Sequence, residues 1–569
     1  MSSIDWLVFA LYFAAVIAFA WLHSRQNRGV EGYLLANRRM GGLAIGLSVM
    51  ATQASAITYI GTTGQAFGEG MEFLQFYFGL PLAMVIISVT FAPAFYRAKV
   101  FTAYEYLERR FDARTRTAAS IFFMVSRGMS AGIVLYAPSI VLSVIMGWSE
   151  TTTIMIMGAV TVGYTLMGGM TAVIWTDVVQ MLVLFAGIAA ALFVLFGTLP
   201  EGVGVADAAY VGGVHGMWQA IDLSWDPSNR FTLWSGLIGG LFLAMGYFGA
   251  DQSQVQRYLT ARSLRQSRVS LLFNAVLKVP MQAAILAIGV MLFVFYHFEP
   301  QPLVFNTAER ETVARSEQGP RLEELEVLHQ RAHSARLAAT MDALAARRTG
   351  ALDQEQEAAS RMAARNEEMQ SLRAESRALT AEATGAATSD VNYVFPTYLV
   401  SFVPAGLLGL LIAVIFAAAM SSLDSELTAL TSASVMDVYK RHLRPNASDR
   451  ECLVASRTAT ACWGALAAGF ALYAGQLGSL IEAVNRVGSL FYGSLLGVFL
   501  LAFFAKRATP PAAFFGLLAG MLSVLAASYL TEIAWLWYNV VGTGVTVASA
   551  LLISLVTSER GGSPEHATR

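Results

Sequence analysis

The sequence predicts an all-α protein that crosses a membrane many times, and three observations carry that prediction. Of 569 residues, 56% are hydrophobic and only 14% charged, where soluble domains carry about a quarter. The apolar residues are gathered into long runs, and roughly 20 such residues in a helix cross about 30 Å of hydrocarbon. The charges are gathered between the runs, with the positive ones recurring in alternate gaps.

Thirteen runs are long enough to cross, at about 4–22, 41–62, 71–96, 117–147, 152–169, 173–197, 232–250, 268–297, 395–436, 453–474, 479–503, 511–530 and 533–556. The first lacks a basic n-region and an Ala-x-Ala-like cleavage site, so it reads as a membrane helix and not as a secretory signal. Basic residues follow the first run (Arg25, Arg28, Arg38, Arg39) and the third (Arg97, Lys99, Arg109, Arg110, Arg114, Arg116). They recur after the seventh (Arg257, Arg262, Arg265, Arg268), the ninth (Lys440, Arg441, Arg444, Arg450) and the eleventh (Lys506, Arg507). The short gaps on the other side hold almost none, Arg230 being the exception. The positive-inside rule then places the N-terminus outside and the C-terminus in the cytoplasm, as an odd number of crossings requires.

Residues 299–392 interrupt this pattern. They are polar, and 310–383 is rich in Ala, Glu and Arg without a lysine. Leu322, Leu325, Leu328 and Ala332 form an apolar stripe, Thr349-Gly350 reads as a break, and a second helical run follows from about Asp353 to Ala383. The expectation is a helical hairpin on the outer side, long loops being exempt from the charge rule. Such a hairpin is a candidate partner-docking or gating element, or a decoration without a functional role.

Other classes find little support. Two cysteines, Cys452 and Cys462, define neither a disulfide framework nor a metal site, and none of the seven histidines forms a paired ligand motif. No Ser/His/Asp, metal or phosphate-binding motif suggests an enzyme. The net charge of −1 is silent about partners because the charges are segregated, and no nucleic-acid partner is expected.

The polar residues inside the apolar runs are the functional signal. In AAAMSSLDSELTALTSASVMDVYKR (417–441), Ala418, Ser421, Ser422 and Ser425 fall on one helical face, with Asp424 beside them. Hydroxyls and a carboxylate at membrane depth either line a cavity and bind a hard cation or pack against neighbouring helices. The second run, LSVMATQASAITYIGTTGQAFGEG (47–70), carries Gln53, Ser55 and Thr58 in its middle. The seventh, LIGGLFLAMGYFGADQSQVQRYL (237–259), has Gly246 and Gly249 leading into Asp251 and Gln252. Polar, glycine-interrupted segments at corresponding places in two halves point to a transporter with inverted repeats and a site at the membrane midplane.

Four motifs, GGMTAVIWTDVVQ (168–180), GADQSQVQRYLTARS (249–263), SSLDSELTALTSASVMDVYKR (421–441) and NRVGSLFYGSLLGVFLLAFFAKRATP (485–510), together resemble the sodium/solute symporter family, over nearly all of the chain outside 299–392. The resemblance implies a LeuT-type fold: an extra helix in 1–40, inverted five-helix repeats at 41–197 and 232–503, an outer loop at 198–231, and two further helices in 504–569. It implies Na⁺-coupled import of a small organic solute across the cell (inner) membrane, the ion, the solute and the bilayer being the partners. A sugar or polyol carrier, a proton-coupled carrier of the same fold and a membrane sensor or scaffold are the alternatives. A sensor would need an output domain, and only 557–569 follow the last run.

The resemblance also implies residue roles. The carbonyls of Ala51, Ala54 and Ala418 and the hydroxyls of Ser421 and Ser422 match the family's Na⁺ ligands at the position called Na2. Asp177, Asp424 and Ser425 match a second cation site found in some members. Asp424 departs from the hydroxyl or alanine usual there, and a second carboxylate either strengthens a cation site or takes a proton. Asp177 reads equally as a helix-start anion near the inner face. Gln53, Ser55 and Thr58 match substrate-facing positions, Tyr77 a second-helix contact, and Tyr247 an inner-gate aromatic. Ala244 stands where sugar carriers have an amide, which weakens that alternative. Arg127 lies deep in its run: an anionic or carboxylate-bearing solute would give it a bidentate partner, and an internal salt bridge or snorkelling explains it as well. Lys278 and Arg486 carry the same choice.

Overall fold

The computed structural model describes residues 2–24, 29–385 and 389–558; Arg25, Arg28 and the tail from residue 559 lie outside them. Among the described residues every regular element is helical, and one isolated parallel bridge joins Met40 to Ala261. Eight helices are long and apolar enough to cross a membrane: Glu72–Ala98, Ala113–Met146, Gly169–Gly197, Leu264–Phe298, Leu407–Leu443, Leu480–Phe504, Pro510–Leu530 and Trp535–Val556. Gly42–Gln53 and Ala56–Glu69, bent at 55° across a short break, are together long and apolar enough to make a ninth. The remaining expected runs are also helical: Ser3–Ser24 is apolar over 22 residues, Gly240–Ala250 is shorter and Asp449–Ala474 more polar. Large apolar side chains such as Leu11, Val160, Phe193, Leu522 and Leu552 stay exposed around the outside, as a surface facing lipid requires.

Two expected boundaries shift, and a third is marked by a kink. The run 395–436 splits into Val391–Phe402 and Leu407–Ala433. Pro404 lacks an N–H to donate, and Gly406 turns the chain at φ +87°, a conformation open mainly to glycine. The runs 152–169 and 173–197 stay two helices within Glu150–Gly197, separated by a kink at Gly169 with φ +60°. In the seventh run Gly246 and Gly249 stay inside the Gly240–Ala250 helix, and the interruption falls at Asp251. Those glycines serve close packing: a Cβ on Gly246 would lie 2.8 Å from the Cβ of Tyr492, and one on Gly249 2.8 Å from the Phe91 ring.

The centre of the molecule is the Leu407–Ala433 helix, in which every residue from Leu411 onward is buried. It packs against Ala113–Met146, Glu150–Gly197 and both halves of the bent pair. A helix covered on all sides can hold polar groups only where partners meet them, so its serines report on what faces them.

The insert forms Thr307–Ala314 and two long helices, Gly319–Thr349 and Leu352–Thr384, reversed at Gly350 in the left-handed conformation. Its buried positions are Leu322, Leu325, His329, Ala332, Arg336, Ala339 and Ala343, spaced alternately three and four apart like a coiled-coil seam. Ala358, Met362, Asn366 and Met369 are buried on the returning helix. Leu328, expected on the stripe, is 37% exposed because the seam runs through His329. The hairpin is tied to the rest of the chain by Arg348 on Asp207, Arg373 on Asp390, and Arg336 on the Tyr296 carbonyl.

Candidate functional site

The break in the bent pair follows from its sequence. Ser55 is extended at φ −75°, ψ 172° and caps the helix that follows, accepting the Thr58 N–H at 3.3 Å. The Thr58 hydroxyl donates back to the Gln53 carbonyl at 2.9 Å, closing the corner. Because Gly42–Gln53 ends here, carbonyls of its last turn lose their partners along the helix. One of them, Ala51 O, accepts from the Ser422 hydroxyl at 3.4 Å. Ala54 sits at the break itself, and Ala418 lies one turn before Ser421 and Ser422, buried like them. The structure therefore joins Ala51 to Ser422 across two helices, and it places Ala54 beside the same junction. Ser421 turns its hydroxyl to Asp177. Oxygen atoms alone, from carbonyls and hydroxyls, suit a hard cation. Among the described residues no group of three or more His, Cys, Asp or Glu could hold a metal ion.

The groups expected to hold a second cation are arranged around an arginine. Asp177 accepts from Ser48 at 2.5 Å, from Ser421, and from Arg257 at 3.3 Å. The Arg257 guanidinium also reaches Ser48 (3.0 Å), Ser425 and the Ser253 carbonyl (2.7 Å), and its side chain is wholly buried. Counted from the sequence among the inner-loop cations, Arg257 is instead inside the protein, on the short helix Gln252–Leu259 whose eight residues are all buried. Asp177 lies well past the kink at Gly169, so it is a mid-helix group and not a helix-start anion. Asp424 is apart from this cluster's hydrogen bonds and accepts from Thr165.

Beside the break is a cavity of about 90 Å³, and Gln53, Ser55, Thr58, Tyr77, Arg127 and Tyr247 all line it. Its apolar wall includes Phe76, Leu80, Leu243, Ala244 and Phe248. Gln53 is held by Asn274 at 3.0 Å, and the Tyr247 hydroxyl accepts from Gln254 at 2.7 Å. Arg127 is fully engaged: it donates to Asp251 at 3.0 Å, to Glu426 at 2.8 Å and to Tyr492, and its guanidinium lies 5.1 Å from the Tyr247 ring. The internal salt bridge is thus the reading that holds for Arg127. Asp251 is bound on its other oxygen by Ser253, whose helix it caps.

Lys278 is the cation left over. It is 1% exposed, lines the cavity, and its ammonium has no hydrogen-bond partner among the described residues, lying 5.3 Å from the Tyr77 ring. Arg486 is exposed and lines no part of the cavity. Glu426, Asn485 and Tyr492 were not singled out from the sequence, and Asp251 was named only for its place at the interruption; all four lie at or beside the cavity. Glu426 was findable, because it sits one turn beyond Ser422 on the face that singled out the serines.

Toward the hairpin the cavity is closed by a polar network. Gln65 donates to Glu69 (2.6 Å) and Glu482 (3.1 Å) and accepts from Ser479 (3.0 Å). Arg230 bridges the same two carboxylates, Glu482 at 2.7 Å and Glu69 at 2.5 Å. The bent pair and the Leu480–Phe504 helix are thereby latched together above the cavity.

Comparison with known proteins places this arrangement. The profile of the sodium:solute symporter family matches residues 33–319 and 371–520. The chain is 28% identical over 526 residues to the sodium-dependent multivitamin transporter of Oryctolagus cuniculus, covering 92% of this chain and 69% of that protein. It is 26% identical over 568 residues to the sodium/sialic acid symporter SiaT of Proteus mirabilis, covering 97% and 95%, and 27% identical over 523 residues to human sodium-coupled monocarboxylate transporter 1, covering 91% and 72%. A solved structure of a Na⁺-coupled sialic acid symporter, substrate-bound and outward-open, aligns over 98% of both chains with a TM-score of 0.75 and 23% identity, which shows a shared fold.

Proposed function

Because the chain belongs to the sodium:solute symporter family, we propose that it is a secondary active transporter that couples the entry of Na⁺ to import of a small carboxylate-bearing solute. The observation that carries this reading is the junction of Ala51 and Ser422 at a helix break, next to a cavity containing a buried, unpartnered lysine. In this reading Na⁺ is held by the carbonyls of Ala51, Ala54 and Ala418 and the hydroxyls of Ser421 and Ser422, tying the bent pair to the central helix. Ser421 donates to Asp177 and Ser422 to the Ala51 carbonyl, which draws both hydroxyls to the side of the central helix that faces the break.

The solute's carboxylate pairs with Lys278, and its body lies against Tyr77, Phe76 and Tyr247. An ammonium with no counter-charge is costly in this setting, and a carboxylate supplies what is missing. Relatives named for sialic acid and for monocarboxylates carry acids, which supports the same class. The Arg127–Asp251–Glu426–Tyr492 cluster closes the cavity on one side and the Gln65–Arg230 latch closes it on the other, so alternate opening of these two layers gives alternating access. Arg257 already supplies a positive charge to Asp177 and Ser425, which supports one Na⁺ per cycle. The inverted repeats, thirteen crossings, outer N-terminus and location in the cell membrane belong to this proposal.

The driving force is the Na⁺ gradient plus about 2.3 kcal/mol per charge per 100 mV. Proteoliposomes with an inward Na⁺ gradient should concentrate a small monocarboxylate. Equal uptake with choline in place of Na⁺ would refute Na⁺ coupling, and uptake driven equally by a pH gradient would favour the proton-coupled alternative.

A further inference from the structure

We propose that the hairpin insert builds a second solute site, a carboxylate-binding vestibule above the central cavity in which Arg336 and Arg377 receive the anion. A separate cavity of about 340 Å³ lies between the hairpin and the latch, lined by Arg336, Asn366, Arg373 and Arg377 of the insert and by Glu69, Arg230 and Glu482 below. Arg373 is neutralised by Asp390 at 2.9 Å, and Arg230 by Glu69 and Glu482. Arg336 is not neutralised. It is 2% exposed, and it donates to the neutral Asn366 side chain at 2.8 Å and to the Tyr296 carbonyl. Its Nε is buried with no partner, and the nearest other group is the His333 ring at 3.5 Å. Among the described residues no carboxylate comes within ion-pair distance of it. Arg377, one turn beyond Arg373, is exposed, lines the same cavity and has no ion pair there either.

A buried guanidinium without a counter-charge carries a large desolvation cost, and natural proteins offset such a cost with an anion. Burial alone pushes the Arg336 pKa down to about 9, which still leaves the guanidinium charged at neutral pH and without a counter-ion. The free Nε–H is a charged donor that a carboxylate oxygen can accept. The family profile leaves out 320–370, the part of the hairpin that carries Arg336 and Asn366, while Arg373 and Arg377 fall within its second matched stretch. The site rests on the proposed function only for the identity of the ligand, a carboxylate solute gathered before the latch opens.

The test uses the full-length protein in sodium-free choline buffer, with acetate as the probe, chloride as the comparison and melting temperature as the readout. Acetate should stabilise the parent saturably and chloride should not. Arg336→Gln should raise the acetate concentration for half-effect about tenfold or more, the loss of one charged hydrogen-bonding group, and Arg377→Gln should raise it less. Arg336→Gln keeps an amide donor and removes an uncompensated charge, so its own melting temperature should not fall below the parent's; if it fails to fold, Arg336→Lys and Arg377→Gln carry the comparison. Ser421→Ala separates the two sites, since it should weaken stabilisation by Na⁺ and leave the acetate effect in choline unchanged. Equal acetate affinity in the parent and the arginine variants, or chloride matching acetate, would overturn the proposal.

Discussion

At the scale of single residues, the proposed sodium site turns on two positions. In the proposed site Ser421 and Ser422 each offer one hydroxyl to the cation, and a hydrogen-bonding group to a charge contributes about 1.5–3 kcal/mol. Ser421→Ala or Ser422→Ala should therefore raise the half-saturating Na⁺ concentration roughly tenfold or more, with the fold intact; unchanged Na⁺ dependence in both would remove them from the site. Lys278→Met should weaken binding of a carboxylate solute by a similar factor of about ten or more while neutral analogues are unaffected, measured as competition for uptake. Asp177→Asn tests a different point. It leaves Arg257 buried and unpaired, so it should destabilise the protein by about 3–5 kcal/mol, read as a lower melting temperature at every Na⁺ concentration. The serines and the six cavity-lining residues were legible in the sequence, the serines through helical spacing and the six chiefly through the motif matches. Lys278 and Arg127 were not separable, because only the three-dimensional structure shows that Asp251 and Glu426 saturate one and leave the other bare.

At the scale of elements, what misled was polar sequence that is buried. Gln252–Leu259 reads QSQVQRYL and looks like the start of a basic loop, yet Gln252, Gln256 and Arg257 all bond to atoms inside the protein. Hydropathy cannot register a partner that lies elsewhere in the chain. The hairpin misled less, since Gly350 and the flanking helices follow from local signals, and only the polar part of its seam was hidden. That seam predicts a pH response. Burial, with Arg336 beside it, holds His333 at about 4, and burial with Arg373 and Arg336 nearby holds His329 at about 3, below the value of about 6.5 expected unfolded. Both rings are then neutral in the folded hairpin. The unfolded hairpin binds more protons, so stability is full above about pH 6.5 and falls as pH drops toward about 4. Hydrogen exchange corrected for intrinsic rates should show the hairpin losing protection between pH 7 and 5 ahead of the central helix; equal loss in both would contradict this. Phe305 N–H donates to Asp390 at 2.9 Å, so the ends of the insert are adjacent. Replacing 307–384 with a short Gly/Ser linker should leave Na⁺-dependent stabilisation intact, and its complete loss in a folded variant would make the hairpin part of the transport machinery.

At the scale of the whole molecule, the all-helical membrane class followed from composition and charge segregation, because lipid imposes the same demand on every crossing. The two interrupted helices were visible as paired anomalies, but the position of the second break was not, since glycine serves close packing at Gly246 and Gly249 and a carboxylate cap makes the interruption at Asp251. The central claim is that one junction couples Na⁺ to a carboxylate solute, and coupling is reciprocal: each ligand must tighten the other by the same factor. The most direct measurement is a thermal-shift screen of small carboxylates on the purified protein, run in matched Na⁺ and choline buffers, for the parent and Ser422→Ala. The account predicts at least one carboxylate whose stabilisation is strong in Na⁺, weak in choline, and reduced in Na⁺ by the substitution. A carboxylate that stabilises the parent equally in Na⁺ and choline, with no effect of Ser422→Ala, would contradict it.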